Sequence, residues 1–125
     1  MVTIKDYKKA ETSNIDYKED VEINKPRSWL KTVSAFANTK GGTILFGVRD
    51  EDHKPVGLND IQKLSEKVSE LINARINPLP RYELNTFTEK GKDILELKVG
   101  EGPLTPYYYV YDGRSEAFVR TGNES

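Results

Sequence analysis

Apolar residues recur along this chain with two different periods, and each period predicts a different kind of element. Helical spacing appears in a first segment from Pro26 to about Asn38, where proline suits the first turn of a helix. It appears again in a segment that Asn59 or Asp60 would cap and that runs to about Ala74. Between the two lies an almost continuous apolar run, Thr43 to Val48, which is typical of a strand covered on both faces.

Shorter segments with alternating side chains predict further strands. A glycine-containing turn at Glu89 to Lys92 indicates a hairpin, and Gly113 marks a second turn. The predicted strands are Asn14 to Lys18, Thr43 to Val48, Arg81 to Thr88, Asp93 to Val99, Tyr107 to Tyr111 and Ala117 to Arg120. This order predicts an α+β fold in which a mixed β-sheet packs against two main helices.

Composition narrows the chemistry that the chain can perform. A length of 125 residues fits one domain, and 19 basic against 20 acidic residues leave a net charge of −1, so binding to nucleic acid would need a local basic face. The chain has no cysteine and one histidine, which excludes disulfide frameworks, thiolate metal sites and histidine-rich zinc catalysis. Carboxylates would have to hold any metal, which favours Mg²⁺, Mn²⁺ or Ca²⁺. No apolar segment at the N-terminus indicates a signal or a membrane span, so we expect a soluble, cytoplasmic protein.

Two glycines, Gly41 and Gly42, connect the first helix directly to the apolar strand. Glycine tolerates the backbone angles of such a turn, and the pair lacks the lysine and the spacing of a phosphate-binding P-loop. A tight turn is therefore the better interpretation. The strand that follows ends in a polar stretch, Arg49 to Asp52, where an acidic site could begin.

Several blocks, read in order, resemble the Schlafen-type Alba-like domain, for which DNA binding has been suggested. They are ETSNIDYK (11–18), LKTVSAFANTKGGTILFGVRDE (30–51), VGL (56–58), INPLPRYEL (76–84), GPLTPYYY (102–109) and FVRTGNES (118–125). The resemblance covers nearly the whole chain, and the helix, double glycine and strand are its strongest part. It implies that residues 1–125 form a single domain, excised from the N-terminal part of a longer bacterial or archaeal transcriptional regulator whose C-terminal region is missing here.

The resemblance also implies a candidate metal site. In eukaryotic Schlafen members a related domain cleaves structured RNA with two acids five residues apart and a third acid further along, and Glu11, Asp16 and Asp50 match that pattern. Asp16, Tyr17 and Lys18 also match the Asp-x-Lys pattern of many metal-dependent nucleases, in which the lysine, here Lys18, would orient or activate the attacking water, with Mg²⁺ or Mn²⁺ as the metal. Asp16 departs from the glutamate that is commoner in the family, and the shorter side chain could spoil an octahedral magnesium site. The alternative is that these are ordinary solvated carboxylates.

Basic residues distributed over the chain are candidates for contacts with phosphate groups. Those placed best are Lys18, Lys40, Arg75, Arg81 and Arg120. The tyrosines at 107–109 and 111 could stack on unpaired bases, although core packing is the commoner use of such residues. The alternative for the basic residues is an ordinary surface of mixed charge.

These observations favour a DNA- or RNA-binding domain of a prokaryotic transcriptional regulator that recognises backbone and shape and needs no cofactor. No recognition-helix motif is visible in the sequence. A metal-dependent nuclease is the alternative, and a protein-interaction or oligomerisation module is the third hypothesis. Strand edges and the tyrosine-rich segment make a homodimer a further expectation.

Overall fold

The computed structural model describes residues 14–120 of the chain. In this range the helices are α1 (Arg27–Ala37) and α2 (Ile61–Arg75). The strands are β1 (Ile15–Lys18), β2 (Gly42–Phe46), β3 (Ile76–Asn77), β4 (Tyr82–Glu89), β5 (Lys92–Val99), β6 (Tyr108–Tyr111) and β7 (Arg114–Ala117). The predicted α+β class with two helices is confirmed.

The strands form two sheets rather than one. The larger sheet has the order β1-β2-β5-β4 and is mixed, because β1 runs parallel to β2 while the other pairs are antiparallel. The smaller sheet has the order β3-β6-β7 and is antiparallel. The mixed sheet that the sequence predicts is therefore the four-stranded one, and the C-terminal hairpin belongs to a separate sheet.

Helix α1 forms the middle layer between these sheets. All its residues from Trp29 to Ala37 are buried except Lys31. On one side the indole of Trp29 packs edge-on against Phe46 of β2, with ring centroids 5.6 Å apart. On the other side the helix contacts β3, β6 and β7. Small and apolar residues around most of its circumference explain why this helix is enclosed rather than half exposed.

The larger sheet buries side chains on both faces. Ile44 and Phe46 of β2 join the helix-facing core, whereas Leu45 belongs to a smaller cluster on the opposite face. Tyr17 and Phe87 pack at the margin of that second cluster. The apolar run of β2 thus reflects burial on two faces, as predicted from the sequence.

The double glycine permits a close approach between β1, β2 and α1. Gly41 has φ +79°, a left-handed conformation that favours glycine. A Cβ atom on Gly42 would lie 2.6 Å from the carbonyl oxygen of Asn14 and 2.6 Å from the ring of Phe36. Since Asn14 also accepts a hydrogen bond from the amide of Thr43 at 2.8 Å, the start of β1 lies directly over this glycine.

Two polar side chains of α1 and its C-terminal end, Ser34 and Asn38, bind the backbone of the C-terminal segment. The side-chain Nδ2 of Asn38 donates to the carbonyl oxygens of Tyr107 and Phe118, both at 2.9 Å, and its Oδ1 accepts from the N–H of Tyr107 at 2.6 Å. The Ser34 hydroxyl donates to the Tyr107 carbonyl at 2.8 Å and accepts from the N–H of Phe118 at 3.2 Å. We call this pair the Ser34–Asn38 clamp.

Two local predictions from the sequence are wrong. The last strand spans Arg114–Ala117 and not Ala117 to Arg120, because Asp112 and Gly113 both have positive φ and form a two-residue turn from which the strand continues immediately. Asp60 does precede α2, but it makes no side-chain capping bond. Its left-handed backbone, φ 54°, differs from the extended conformation of a capping residue.

Replacement of Gly42 by alanine should destabilise the fold strongly, because the new Cβ would collide with backbone and with an aromatic ring. We expect a loss of roughly 1–3 kcal/mol or more in the free energy of unfolding, measured with urea. Gly100→Ala is the matched control, since its Cβ would meet Arg81 at an ordinary 3.5 Å. Equal stability of the two variants would contradict the close-approach argument.

Substitution in the Ser34–Asn38 clamp should loosen the C-terminal segment. Asn38→Ala removes the partner of the Tyr107 N–H, whereas Asn38→Asp keeps that acceptor and loses both donated bonds. We expect each variant to lose roughly 1–3 kcal/mol for each buried group left unpaired. Hydrogen exchange should show faster exchange of the Tyr107 amide in Asn38→Ala but not in Asn38→Asp. Thr39→Ala, which removes only a bond to Ala35 in the preceding turn of the helix, is the control.

Candidate nucleic-acid interface

Strand β1 carries two of the predicted site residues on its helix-facing side. Asp16 is paired in register with Ile44, and its Oδ2 lies 3.5 Å from the hydroxyl of Thr32 on α1. The same oxygen lies 3.5 Å from Nζ of Lys18. The side chains of Asp16 and Lys18 are 17% and 24% exposed, so this pair is half-buried beside the helix rather than extended into solvent.

Asp50 lies beyond the end of β2, in a turn that also holds His53. The imidazole of His53 stacks on the ring of Tyr17, with centroids 3.9 Å apart and an interplanar angle of 23°. Burial raises the pKa of the Tyr17 hydroxyl, and the negative charge of Asp50 raises it further. Asp50 therefore lies near Tyr17, whose ring packs against the second core cluster. Asp16 points to the opposite face of the sheet, towards α1.

The turn that contains His53 is held by its own backbone. His53 has φ 58°, and its N–H donates to the carbonyl of Arg49 at 2.8 Å. Arg49 in turn forms ion pairs with Glu19 at 3.6 Å and Asp52 at 3.3 Å. The sequence indicates no role for His53, because its stacking partner, Tyr17, lies on β1, 36 residues earlier in the chain.

The predicted metal site depends on Glu11, which lies outside the described residues. Within residues 14–120, no group of three or more histidine or acidic side chains is arranged to hold a metal ion. Asp16 and Asp50 are the two candidate ligands in that range, and the Asp16 carboxylate already contacts Thr32 and Lys18. The three-acid site stays a prediction.

Two predicted basic residues lie at the other end of the larger sheet, each next to the backbone of residues 99–101. Lys40 is exposed in the turn before β2, and the adjacent Gly41 approaches the backbone of residues 99–101. Arg81 is exposed just before β4, and its carbonyl accepts from the N–H of Gly100 at 2.9 Å. Neither side chain forms an ion pair with any residue in the 14–120 range. We call the surface formed by Lys40 and Arg81 the turn-end basic surface.

Lys18 and Arg120 lie away from the turn-end basic surface, and both contact other parts of the protein. Lys18 lies at the opposite end of the sheet and is paired with Asp16. The guanidinium of Arg120 lies 5.0 Å from the ring centroid of Phe36, and its Nη2 donates to the carbonyl of Ile15 at 3.4 Å. Arg120 thus links the C-terminal segment to the start of β1, which is a structural use of a residue predicted to contact phosphate.

Arg75 lies at the end of α2, against the hairpin of the smaller sheet. Its guanidinium is 4.1 Å from the ring centroid of Tyr111, a cation–π geometry. Tyr107 and Tyr109 are buried in the core, which confirms the core-packing interpretation for these two, whereas Tyr111 is 55% exposed. The sequence suggests a stacking role for the tyrosines as a group but does not indicate which ring lies at the surface.

A buried carboxylate, Glu96, lies on the face of the larger sheet that points away from the helices. It is 3% exposed, and its Oε1 accepts a hydrogen bond from Asn85 at 3.0 Å. Among the described residues Oε2 has no hydrogen-bond partner. Burial raises the pKa of Glu96, while the charge of Lys98 acts in the opposite direction.

Comparison with known proteins identifies the family. A sequence profile of the family described as Schlafen, AlbA_2 matches residues 11–125. The chain belongs to this family. The Schlafen and AlbA_2 resemblance of the sequence blocks is thereby confirmed.

Solved structures of other proteins share this fold. The AlbA_2 chain superposes on the solution structure of the N-terminal domain of a protein from Nitrosomonas europaea that is related to the ATP-dependent DNA helicase RecG, with TM-score 0.72, 26% identity, and coverage of 95% of this chain and 86% of that chain. A crystal structure from Corynebacterium diphtheriae is similar in fold, with TM-score 0.59 and 18% identity over 86% of this chain and 22% of that chain.

A sequence relative is much longer than the AlbA_2 chain. The two are 30% identical over 89 residues, and the relative is an uncharacterized ATP-binding protein from Ureaplasma parvum serovar 3. The match covers 67% of this chain and 24% of that protein. Within residues 14–120, neither helix combines the length and apolarity needed to cross a membrane.

The buried carboxylate gives a prediction for the pH dependence of stability. The pKa of Glu96 is higher in the folded state, so the protonated form favours folding. The stabilisation by protonated Glu96 is fully present below the pKa of about 4.3 that the residue has in the unfolded chain. It is lost as the pH rises through the higher pKa of the folded state. Glu96→Gln should therefore raise the melting temperature at neutral pH, and the gain should shrink as the pH falls towards 4.

Thermal unfolding between pH 4 and 8 measures this trend. Glu83→Gln is the matched control, because Glu83 is exposed on the same strand pair and binds the same Asn85. As a surface substitution it should change stability by no more than about 0.5 kcal/mol. A stability difference between wild type and Glu96→Gln that does not vary with pH would contradict the role of burial.

Proposed function

We propose that this AlbA_2 domain binds nucleic acid as part of a prokaryotic transcriptional regulator, through contacts with the phosphate backbone and its shape. The observation that carries the proposal is the turn-end basic surface. Lys40 and Arg81 are both exposed and have no acidic partner in the part of the chain that the structure describes. A cation without a protein partner is available to replace the counterions of a phosphate group.

The helices favour backbone recognition over base reading. Helix α1 is enclosed between the sheets and has no free face to place in a groove. The exposed face of α2 is of mixed charge, with Lys63 beside Glu66, and Lys67 paired with Glu70 at 3.6 Å. Since sequence-specific reading usually depends on side chains that project into a groove, contacts with phosphate and sugar are the mode that this fold supports.

The relationship to other proteins supports the same class of function. The Nitrosomonas europaea protein, whose N-terminal domain shares this fold, is related to a DNA helicase. The net charge of −1 does not oppose the proposal, because attraction to phosphate is a local effect. Few contacts and little net charge predict weak, salt-sensitive binding.

Removal of the turn-end basic surface should weaken binding and reduce its dependence on salt. We expect the double variant Lys40→Gln and Arg81→Gln to bind labelled duplex DNA more weakly. The slope of log affinity against log salt should be smaller by about 0.9 for each phosphate group that is no longer neutralised. The measurement is fluorescence anisotropy over a range of salt concentrations. Structured RNA is titrated in parallel, since the proposal covers both nucleic acids.

The matched control is Lys63→Gln with Lys67→Gln, which removes the same charge from the mixed-charge face of α2. An equal effect of both double variants would show that net charge alone matters and would contradict the proposed surface. The same samples with Mg²⁺, Mn²⁺ or EDTA test the nuclease alternative. Metal-dependent RNA cleavage that disappears in Asp50→Asn would replace the binding proposal, and an absence of both binding and cleavage would favour a protein-interaction module.

A further inference from the structure

The hairpin of β6 and β7 presents an aromatic ring to solvent. Tyr111 is 55% exposed, although Tyr109, two residues earlier on the same strand, is buried. A buried tyrosine contributes to the core, but an exposed ring of this size stabilises little. Asp112 and Gly113, with φ 53° and 77°, form the tight turn that follows Tyr111, so the backbone position of this residue is defined.

The ring of Tyr111 is covered by a cation on one side. The guanidinium carbon of Arg75 lies 4.1 Å from its centroid. Tyr111 contacts this guanidinium and is still 55% exposed as a residue, so part of its side chain remains accessible to solvent. This arrangement leaves a flat surface on which a second planar group could stack.

An open cleft surrounds this pair. It has a volume of about 450 Å³, within the roughly 300–1,000 Å³ of sites that hold small molecules. Its lining includes Arg75, Tyr111 and Arg114, with Asp112 at the turn. The cleft therefore combines an aromatic surface with two cations and one carboxylate.

The charge balance of the cleft favours an anion. Glu116, the acid of β7, forms two hydrogen bonds with Arg27, both 2.9 Å long, and also interacts electrostatically with Arg114. The charge of Arg27 offsets that of Glu116. Arg75 and Arg114 form no ion pair with a residue of the described range, and they outnumber Asp112. A ligand that offers one aromatic ring and one negative group would match this set of side chains.

We infer that this cleft binds one unpaired nucleotide of a single-stranded DNA or RNA, with its base stacked on the ring of Tyr111 and its phosphate near Arg75 and Arg114. In the interior of a duplex both faces of each base are covered by neighbouring bases, so the ring of Tyr111 could stack there only on an unpaired base. The inference rests on the proposed function and adds a preference for unpaired segments. The cleft and the turn-end basic surface lie on different sheets and can be tested separately.

The experiment compares the binding of a labelled oligothymidylate, an oligouridylate and a blunt duplex of the same length. Tyr111→Ala should weaken binding of the single strands about 5-fold to 150-fold, the range for removal of one base–aromatic stack, and should leave duplex binding within about twofold. Tyr111→Phe keeps the ring and should bind like the wild type. Circular dichroism melting confirms that each variant is folded.

A fluorescent reporter gives a second measurement that does not depend on a change of affinity. Trp29 is the single tryptophan and is fully buried, so Tyr111→Trp adds one exposed tryptophan. Base stacking should quench its emission when the single strand is added, whereas the duplex should not. Unquenched emission at saturating single strand would overturn the stacking arrangement.

The outcomes separate the two proposals. If the wild type binds single strands and duplex, and Tyr111→Ala weakens neither or weakens both equally, the stacking inference fails while the proposed function stands. If the wild type binds none of the three probes and does not bind structured RNA, the proposed function fails as well. If Tyr111→Ala weakens binding of the single strands selectively, this result supports both the stacking inference and the proposed function.

Discussion

The Ser34–Asn38 clamp is the interaction on which the arrangement of the two sheets depends. Helix α1 lies between them, and the segments that cross it near Tyr107 and Phe118 have backbone groups that no strand pairs at those points. A buried backbone N–H or C=O without a partner is costly, so these groups need polar side chains from the helix. Asn38 supplies two donors and one acceptor, and Ser34 supplies one of each. A helix that is otherwise apolar can be enclosed because these two residues form the hydrogen bonds that the backbone of the covering segments needs.

The same end of α1 also determines where the basic residues lie. The helix ends one turn before Gly41 and Gly42, and the backbone of β1 and the ring of Phe36 occupy the space of the missing Cβ at Gly42. Gly41 in turn lies against residues 99–101, which bring the start of β4 close. Lys40 and Arg81 are therefore exposed at one end of the sheet as a consequence of the close packing beneath them.

Local patterns were sufficient to predict most of the elements, but not which residues meet. Hydrophobic spacing indicated α1, α2, β2 and the hairpin of β4 and β5, because an element that is buried on one or two faces has apolar residues in a recognisable pattern along its sequence. The division into two sheets was not visible, since it depends on the contact between Tyr107 and Asn38, which are 69 residues apart. Arg75 and Tyr111 were separate candidates in the sequence, and only the pairing of β3 with β6 brings the end of α2 against the hairpin. Arg120 had the charge expected of a phosphate contact, yet its position over Phe36 gives it a structural role. The type of a side chain can be read from the sequence, but its contacts depend on strands that are distant in the chain, and these contacts decide what the side chain does.

The balance of charge over the whole chain is a poor guide to what its surfaces bind. At physiological ionic strength, charges on a protein surface are screened beyond about 8 Å, so a phosphate group near Lys40 responds to Lys40 and its immediate neighbours rather than to the net charge. The 20 acidic residues matter less than where they lie, and several are already paired, such as Glu116 with Arg27. In that pair the charge of Arg27 offsets the charge of Glu116 close to Arg114, and the net charge of the chain is unchanged. A domain with a net charge near zero can in this way present basic surfaces of limited extent, which is consistent with weak binding that salt readily reverses.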